Sequence, residues 1–185
     1  MKKFRQLRFY ISLSTLLLLL WACSSKSKGV EAATEAQLIT TLGQLESQLR
    51  ESTETTLDTA KINTFVQNAE TLAERFPQDS LAPLYLFRAA ELRHATGKWA
   101  EAIELWGTVD TKFKNYQRSP EALFMQGFVS ENDLQDRKQA IRYYEIFLAK
   151  HPQHPMADDA RALIENLKKG ITDQELIEQF EQQQQ

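Results

Sequence analysis

The stretch LAPLYLFRAAELRHATGKWAEAIELW, residues 81–106, decides the fold of this chain because a similar stretch follows it at a nearly fixed distance. The second copy, PEALFMQGFVSENDLQDRKQAIRYYEIF, covers residues 120–147. Four features recur 37 or 38 residues later: Pro83 at Pro120, Ala90 at Gly127, Ala102 at Ala140, and Trp106 at Tyr144. Self-similarity of this period predicts pairs of antiparallel helices stacked side by side.

Each copy has the apolar spacing of two amphipathic helices joined by a short turn. Gly97 ends the first helix of the first copy, and Pro152 follows the last helix of the second. Ser119 is predicted as an N-cap with Pro120 at the first helical position. The predicted helices cover 81–96, 98–113, 121–132, 137–150 and 156–167.

Two further helices are predicted before the repeats. Thr34 and Gln37 have the spacing of a capping box, and the helix that they open runs to a polar connector at 51–56. A second helix covers about 57–76. The inward positions of the two helices are Leu38, Leu42, Leu45 and Leu49, then Ile62, Phe65, Val66, Ala69, Leu72 and Ala73.

These residues resemble the tetratricopeptide repeat family, strongly over 81–155 and more weakly over 34–77 and 156–168. The matching positions are Leu86, Ala89, Ala90, Gly97, Trp99, Ala102 and Trp106, then Leu123, Gly127, Ala140, Tyr144, Phe147 and Pro152. The chain departs from the usual unit of about 34 residues by one extra residue near 133–136 and by a long connector at 114–119. Arg93 and Ser130 also replace the usual aromatic residue. The resemblance implies an all-α solenoid of helix-turn-helix units, with about two or three repeats and flanking helices within 34–170.

The family commonly binds its ligands in a groove lined by the first helix of each pair. The resemblance places eight side chains there: Leu84, Phe87, Glu91 and His94, then Glu121, Phe124, Phe128 and Glu131. Apolar anchors beside acids suit an extended peptide or a partner helix with basic groups. The alternative is that the three phenylalanines only pack on neighbouring helices. Trp99 and Trp106 are predicted in the core, with a carbohydrate platform as the less favoured interpretation.

The N-terminal sequence has the pattern of a secretory signal peptide over 1–22, with a basic start and an apolar run at 9–21. Leu20-Trp21-Ala22-Cys23 resembles the lipobox of bacterial lipoproteins, although Trp21 is larger than usual. The resemblance implies cleavage before Cys23, a lipid on that cysteine, and the polar remainder of 23–33 as a flexible tether. In many such lipoproteins an aspartate after the cysteine retains the protein in the inner membrane. This chain has Ser24 there, so the resemblance favours the outer membrane. An uncleaved anchor with a chance cysteine is the alternative.

The charge pattern excludes some partners. All 25 acidic residues but only 18 of the 22 basic ones follow residue 22, so that part carries a formal net charge of −7. This balance argues against nucleic acid, which requires a basic surface. No small-molecule substrate is indicated.

The candidate chemical groups favour structural roles. A proline follows each of His151 and His154, so the two histidines cannot lie on one unbroken helix as a pair of metal ligands would. This disfavours a metal site. Asp158-Asp159 suits the first turn of a helix. Glycines are too few and too dispersed for a phosphate loop, so neither an enzyme nor a cofactor other than the lipid is predicted. Four other acids are expected to be solvated: Glu101, Glu104, Asp133 and Asp136.

At the C-terminus, a capping box of Thr172 and Glu175 predicts a short helix within 171–185, followed by a frayed polar tail. For the whole chain we expect a lipid-anchored scaffold that binds another envelope protein or peptide in the periplasm. It is similar in repeat style to lipoproteins of outer-membrane assembly and to the Tol-Pal accessory protein. A structural subunit of an envelope machine is the alternative, and a peptidoglycan-acting enzyme is the least favoured.

Overall fold

The computed structural model describes residues 33–51 and 57–169, and these are helical apart from their turns and caps. The predicted signal peptide, Cys23 and its tether, most of the 51–56 connector and the C-terminal helix lie outside the described residues. Within them, seven helices follow one another: α1 Glu35–Glu51, α2 Thr59–Arg75, α3 Ala82–Ala95, α4 Trp99–Lys112, α5 Ser119–Asn132, α6 Arg137–Lys150 and α7 Ala157–Lys169. None of these helices is long and apolar enough to cross a membrane.

Each helix packs against the next one in the chain, as expected for a helical-repeat solenoid. The short turns make neighbouring helices antiparallel, so the turns after α3 and after α5 lie at the same end. A contact of 2.8 Å between His94 Nε2 and Asp133 Oδ2 joins these two turns directly. The predicted fold class is therefore confirmed, with α1, α3, α5 and α7 as the first helices of successive pairs.

Local hydrogen bonds set where the helices begin. The Thr34 N–H donates to Gln37 Oε1 at 2.8 Å, and the Gln37 N–H donates to Thr34 Oγ1 at 3.3 Å, so the predicted capping box is present. Asp58 Oδ1 accepts from the Lys61 N–H at 3.0 Å and caps α2. These caps satisfy backbone donors that have no partner inside a helix.

Helix α5 begins two residues earlier than predicted. Ser119 is its first residue and not its N-cap, and Arg118 in the preceding position makes no side-chain cap. The Ser119 N–H already donates to the Tyr116 carbonyl at 2.9 Å, within the turn that leads into the helix. Ser119 is also buried.

The two tryptophans of α4 have different environments. Trp106 is 1% exposed, whereas Trp99 is 36% exposed. Trp99 is the first residue of the helix, immediately after the turn in which Gly97 adopts a φ of 72°. The prediction that both are core residues is correct for Trp106 and wrong for Trp99, because the helix has barely begun at Trp99 and little packs over it.

The extra residue of the second repeat lies in the turn between α5 and α6. Gln135 there has a φ of 53°, in the left-handed region where glycine is usual. The turn closes through the Asp136 N–H, which donates to the Ser130 carbonyl at 2.8 Å. The insertion is therefore absorbed within the turn, and α6 still packs on α5.

Replacing Asp136 by alanine should lower the free energy of unfolding by about 1 kcal/mol. Its side chain accepts from the Gln139 N–H at 3.0 Å and is the N-cap of α6. The expectation is wrong if urea denaturation of the alanine variant matches the wild type. Asp136→Asn is the control, because an amide oxygen can accept the same hydrogen bond and should preserve most of the stability.

Candidate functional site

The eight predicted groove residues lie on α3 and α5, the first helices of neighbouring pairs, but they do not all face outward. Phe87 and Phe124 are buried, which corrects their predicted outward orientation. Phe87 packs edge-on against Trp106, with ring centroids 6.1 Å apart. Phe124 packs against Phe147, with centroids 5.6 Å apart. These two rings fill the space between the helices of a pair, as in the packing alternative.

Phe128 is the apolar groove residue that remains open to solvent, with 38% of its surface exposed. Leu84 is half-buried and Glu91 is exposed. The surface of α3 and α5 therefore offers one large aromatic anchor instead of the three expected. We call this surface the groove face.

Arg118, which the sequence did not single out, organises the charges of the groove face. Its guanidinium donates to both carboxylate oxygens of Glu121 at 2.8 Å and to Glu91 Oε1 at 3.2 Å. The guanidinium carbon also lies 3.7 Å from the centroid of the Phe87 ring. One cation thus connects α5 to α3 and covers the buried phenylalanine.

The Arg118 contacts shift the titration of the groups involved. The hydrogen bonds from Arg118 hold the pKa of Glu121 below its ordinary value, although partial burial acts in the opposite direction. The same pair raises the pKa of Arg118, which stays charged at any pH in use. Two acids predicted to attract a basic partner therefore already share one guanidinium within the domain.

The Arg118–Glu121 pair makes stability depend on pH. Because the pKa of Glu121 is lower in the folded chain than in the unfolded one, the unfolded chain takes up a proton first below about pH 4.5. We expect the free energy of unfolding to fall further between pH 7 and pH 3.5 in the wild type than in Glu121→Gln. Urea denaturation at the two pH values measures this. An equal fall in both proteins would show that the pair contributes nothing.

The remaining two polar groove residues also have partners inside the domain. His94 contacts Asp133, and the Tyr144 hydroxyl donates to Glu131 Oε2 at 2.9 Å. Burial and this hydrogen bond raise the pKa of Tyr144. Asp133 is consequently not the solvated acid that the sequence predicted.

Two more of the predicted solvated acids have structural roles. Glu101 Oε2 lies 2.8 Å from the Nε of Arg93, and the same guanidinium donates to Asn63 Oδ1 at 2.6 Å. The buried Arg93 thereby joins α2, α3 and α4 at a position where the family usually has an aromatic residue. Asp136 caps α6. Of the four acids predicted to be solvated, Glu104 is therefore the one that is exposed and whose carboxylate makes no contact in the described part of the chain.

His151 and His154 both pack near the Phe147 ring, at centroid distances of 5.7 and 5.5 Å. Desolvation lowers the pKa of His151, so burial favours its neutral form. Asp158 and Asp159 lie in the first turn of α7, as predicted. The two histidines therefore contribute to packing around the α6–α7 turn.

An open cavity of about 390 Å³ lies where α1, α2 and α3 meet, and the sequence did not predict it. Its lining consists of Glu46, Leu49, Arg50, Phe65, Arg88, Glu91, Leu92 and Ala95. We call it the α1–α3 cavity. Because α1 and α2 match the repeat pattern only weakly, no residue of either helix was predicted to bind a partner. Glu46, which lines the cavity from α1, pairs with Arg88 of α3.

Comparison with protein-family models matches residues 121–154 to the tetratricopeptide repeat. This segment covers most of α5, the turn with the extra residue, and all of α6. A comparison with curated proteins gave no match. The chain is therefore similar to tetratricopeptide repeat proteins over its second clear repeat, and the order and packing of its helices agree. Repeats of this kind generally mediate protein–protein interactions, so the fold and the match together indicate an interaction scaffold.

Proposed function

We propose that this protein is a lipid-anchored tetratricopeptide-like scaffold that holds another protein of the bacterial cell envelope. The observation that carries the proposal is the groove face, where Phe128 is exposed on α5 while the charges around it are paired internally. An exposed aromatic side chain on a rigid helix is a common anchor for a partner at an interface.

The anchoring part of the proposal rests on the sequence alone. The apolar run ends at Cys23, the single cysteine of the chain, in a lipobox-like setting. Two or more acyl chains at that position would hold the protein durably on a membrane surface. Ser24 after the cysteine supports the outer membrane, with the repeats in the periplasm. A surface-confined scaffold raises the local concentration of whatever it binds.

The structure changes the chemistry that we expect of the partner. Acids on the groove face suggested a partner with basic groups, but Glu91 and Glu121 are bound to Arg118. A basic group of the partner would have to displace Arg118 from these acids and leave its guanidinium unpaired, so it gains less there than at free acids. The partner is expected to make its main contact with Phe128 through apolar side chains.

Site-specific cross-linking in living cells tests the scaffold function. A photoreactive phenylalanine analogue at position 128 should yield a discrete cross-linked product with an envelope protein. The same analogue at position 104 is the matched control, because Glu104 is exposed on α4, outside the groove face. Products that are equal at both positions, or absent at 128, would defeat the proposal.

The anchor has its own test. Mass spectrometry of the mature protein should find Cys23 as the acylated N-terminal residue, and Cys23→Ala should release the protein from the membrane fraction. The cross-link at position 128 should weaken in that variant. A mature protein that keeps residues 1–22, or that is soluble without acylation, would contradict the lipid anchor while leaving the scaffold test unaffected.

A structural subunit of a larger assembly is the second candidate, favoured by three exposed apolar residues. Leu57, Trp99 and Leu134 lie in or beside turns at the same end of the solenoid. An apolar edge of this kind suits burial in a permanent interface. If this candidate is correct, the cross-linked product should form through position 99 and not through position 128.

A further inference from the structure

The α1–α3 cavity has an apolar floor and a charged rim. Phe65 of α2 is buried beneath it, packed edge-on against Tyr85 with ring centroids 6.0 Å apart. Leu49 and Leu92 line it from α1 and α3 and are half-buried. Its volume of about 390 Å³ lies within the range of protein pockets that enclose small ligands or one or two large side chains.

Three of the four charged groups on the rim are compensated. Arg88 pairs with Glu46, whose Oε1 is enclosed. Glu91 accepts from Arg118. Arg50, by contrast, makes no hydrogen bond or ion pair within residues 33–51 and 57–169, and its side chain is exposed. The cavity therefore combines an apolar floor with one uncompensated cation.

We propose that this cavity binds a partner segment in which a large apolar side chain is adjacent to a carboxylate. The apolar side chain would occupy the floor between Leu49, Phe65 and Leu92, and the carboxylate would pair with Arg50. This inference rests on the proposed scaffold function, since it assigns the chemistry of the partner at one point. Guanidinium and carboxylate form paired, charge-assisted hydrogen bonds, which makes arginine selective for this group.

The position of the cavity favours a peptide segment as the occupant. Glu91 lines the cavity and, through Arg118, also belongs to the groove face. A chain that contacts Phe128 on α5 can therefore continue over α3 and reach Arg50 on α1. A lysine or arginine of the partner would instead approach the uncompensated Arg50, which would repel it.

Fluorescence anisotropy with short labelled peptides tests the inference on the full chain in nonionic micelles. The probe is Gly-Ser-Asp-Leu-Phe-Asp-Gly-Ser, with two matched peptides in which both aspartates are asparagine or lysine. The aspartate peptide should bind most tightly. Arg50→Gln should weaken its binding by about tenfold, the usual value of a charge-assisted contact. Lys112→Gln removes an exposed cation on α4 and should leave binding unchanged.

A second variant tests the floor without disturbing the core. Ala95 is exposed at the rim, so Ala95→Trp should fill the cavity and abolish peptide binding while the protein stays folded. Circular dichroism verifies the folding. Equal binding of the three peptides, no binding at all, or an Arg50→Gln variant that binds normally would overturn the inference.

These outcomes are separable from the scaffold proposal. If position 128 cross-links to a partner but the peptides show no dependence on Arg50, the scaffold stands and the cavity assignment fails. If binding depends on Arg50 but position 128 yields no product, the cavity assignment stands and the groove-face proposal fails.

Discussion

Replacing Trp106 by alanine should lower the free energy of unfolding by about 3–5 kcal/mol, the largest effect expected for a single substitution in this chain. Trp106 is almost completely buried in α4, where its ring packs against Phe87 and lies 6.0 Å from the His94 ring. The substitution leaves a cavity between the two helices of this pair, α3 and α4. Since domains of this kind are stable by only about 5–15 kcal/mol, a large part of the protein should be unfolded at 37 °C.

Trp99→Ala is the matched control, since it removes the same side chain from the same helix. Trp99 is exposed at the first position of α4, so its loss should change stability by about 0.5 kcal/mol or less. Chemical denaturation followed by circular dichroism compares the two variants. Similar losses would mean that packing around Trp106 is not what stabilises the repeats. Trp106→Phe should lower the free energy of unfolding less than Trp106→Ala does. The indole Nε1 has no hydrogen-bond partner in the described part of the protein, so phenylalanine loses no hydrogen bond there.

Replacing Gly127 by alanine should destabilise the protein by about 1–3 kcal/mol, even though alanine is the better helix former. A Cβ at this position would lie 2.6 Å from Cε1 and 2.8 Å from Cδ1 of Tyr144. The ring cannot move away easily, because it is fully buried and its hydroxyl is bound to Glu131. The backbone of α5 must therefore shift away from α6.

Gly43→Ala is the control for this prediction. A Cβ there meets only the Tyr85 hydroxyl at 3.7 Å, an ordinary contact distance. Without a clash, the helix propensity of alanine should stabilise the protein by up to about 1 kcal/mol. Opposite signs in the unfolding free energies of the two variants are the expected result. In a Tyr144→Leu background, Gly127→Ala should cost less than in the wild type, since the two sites are in contact.

The predictions that succeeded concern residues whose role is set by their own neighbours in the chain. The capping box of Thr34 and Gln37 spans one helical turn, so the four residues 34–37 are sufficient to predict it. The six inward positions of α2 follow from a period of 3.6 residues, and all six are buried.

The predictions that failed concern which face of a helix its neighbours cover. Phe87 and Phe124 were assigned outward from their repeat positions, but rings from α4 and α6 and the guanidinium of Arg118 enclose them. Arg118 and Glu91 are separated by 27 residues, so no local pattern marks their contact. The acids of the groove face were consequently predicted to be free for a partner, whereas in the structure they are paired with Arg118 and Tyr144.

The sequence by itself determined the all-helical class, the repeat period, most helix boundaries within two residues, and the burial of Trp106. It also contains the whole case for a lipid on Cys23. Only the tertiary structure decided that Phe128 alone of the three groove phenylalanines is exposed, that Arg118 pairs with both Glu91 and Glu121, and that α1 to α3 line an open cavity with Arg50 on its rim. Helix formation depends on contacts three or four residues apart, which a sequence displays directly. The chemistry of the groove depends on contacts between separate helices, and these form only when the solenoid is packed.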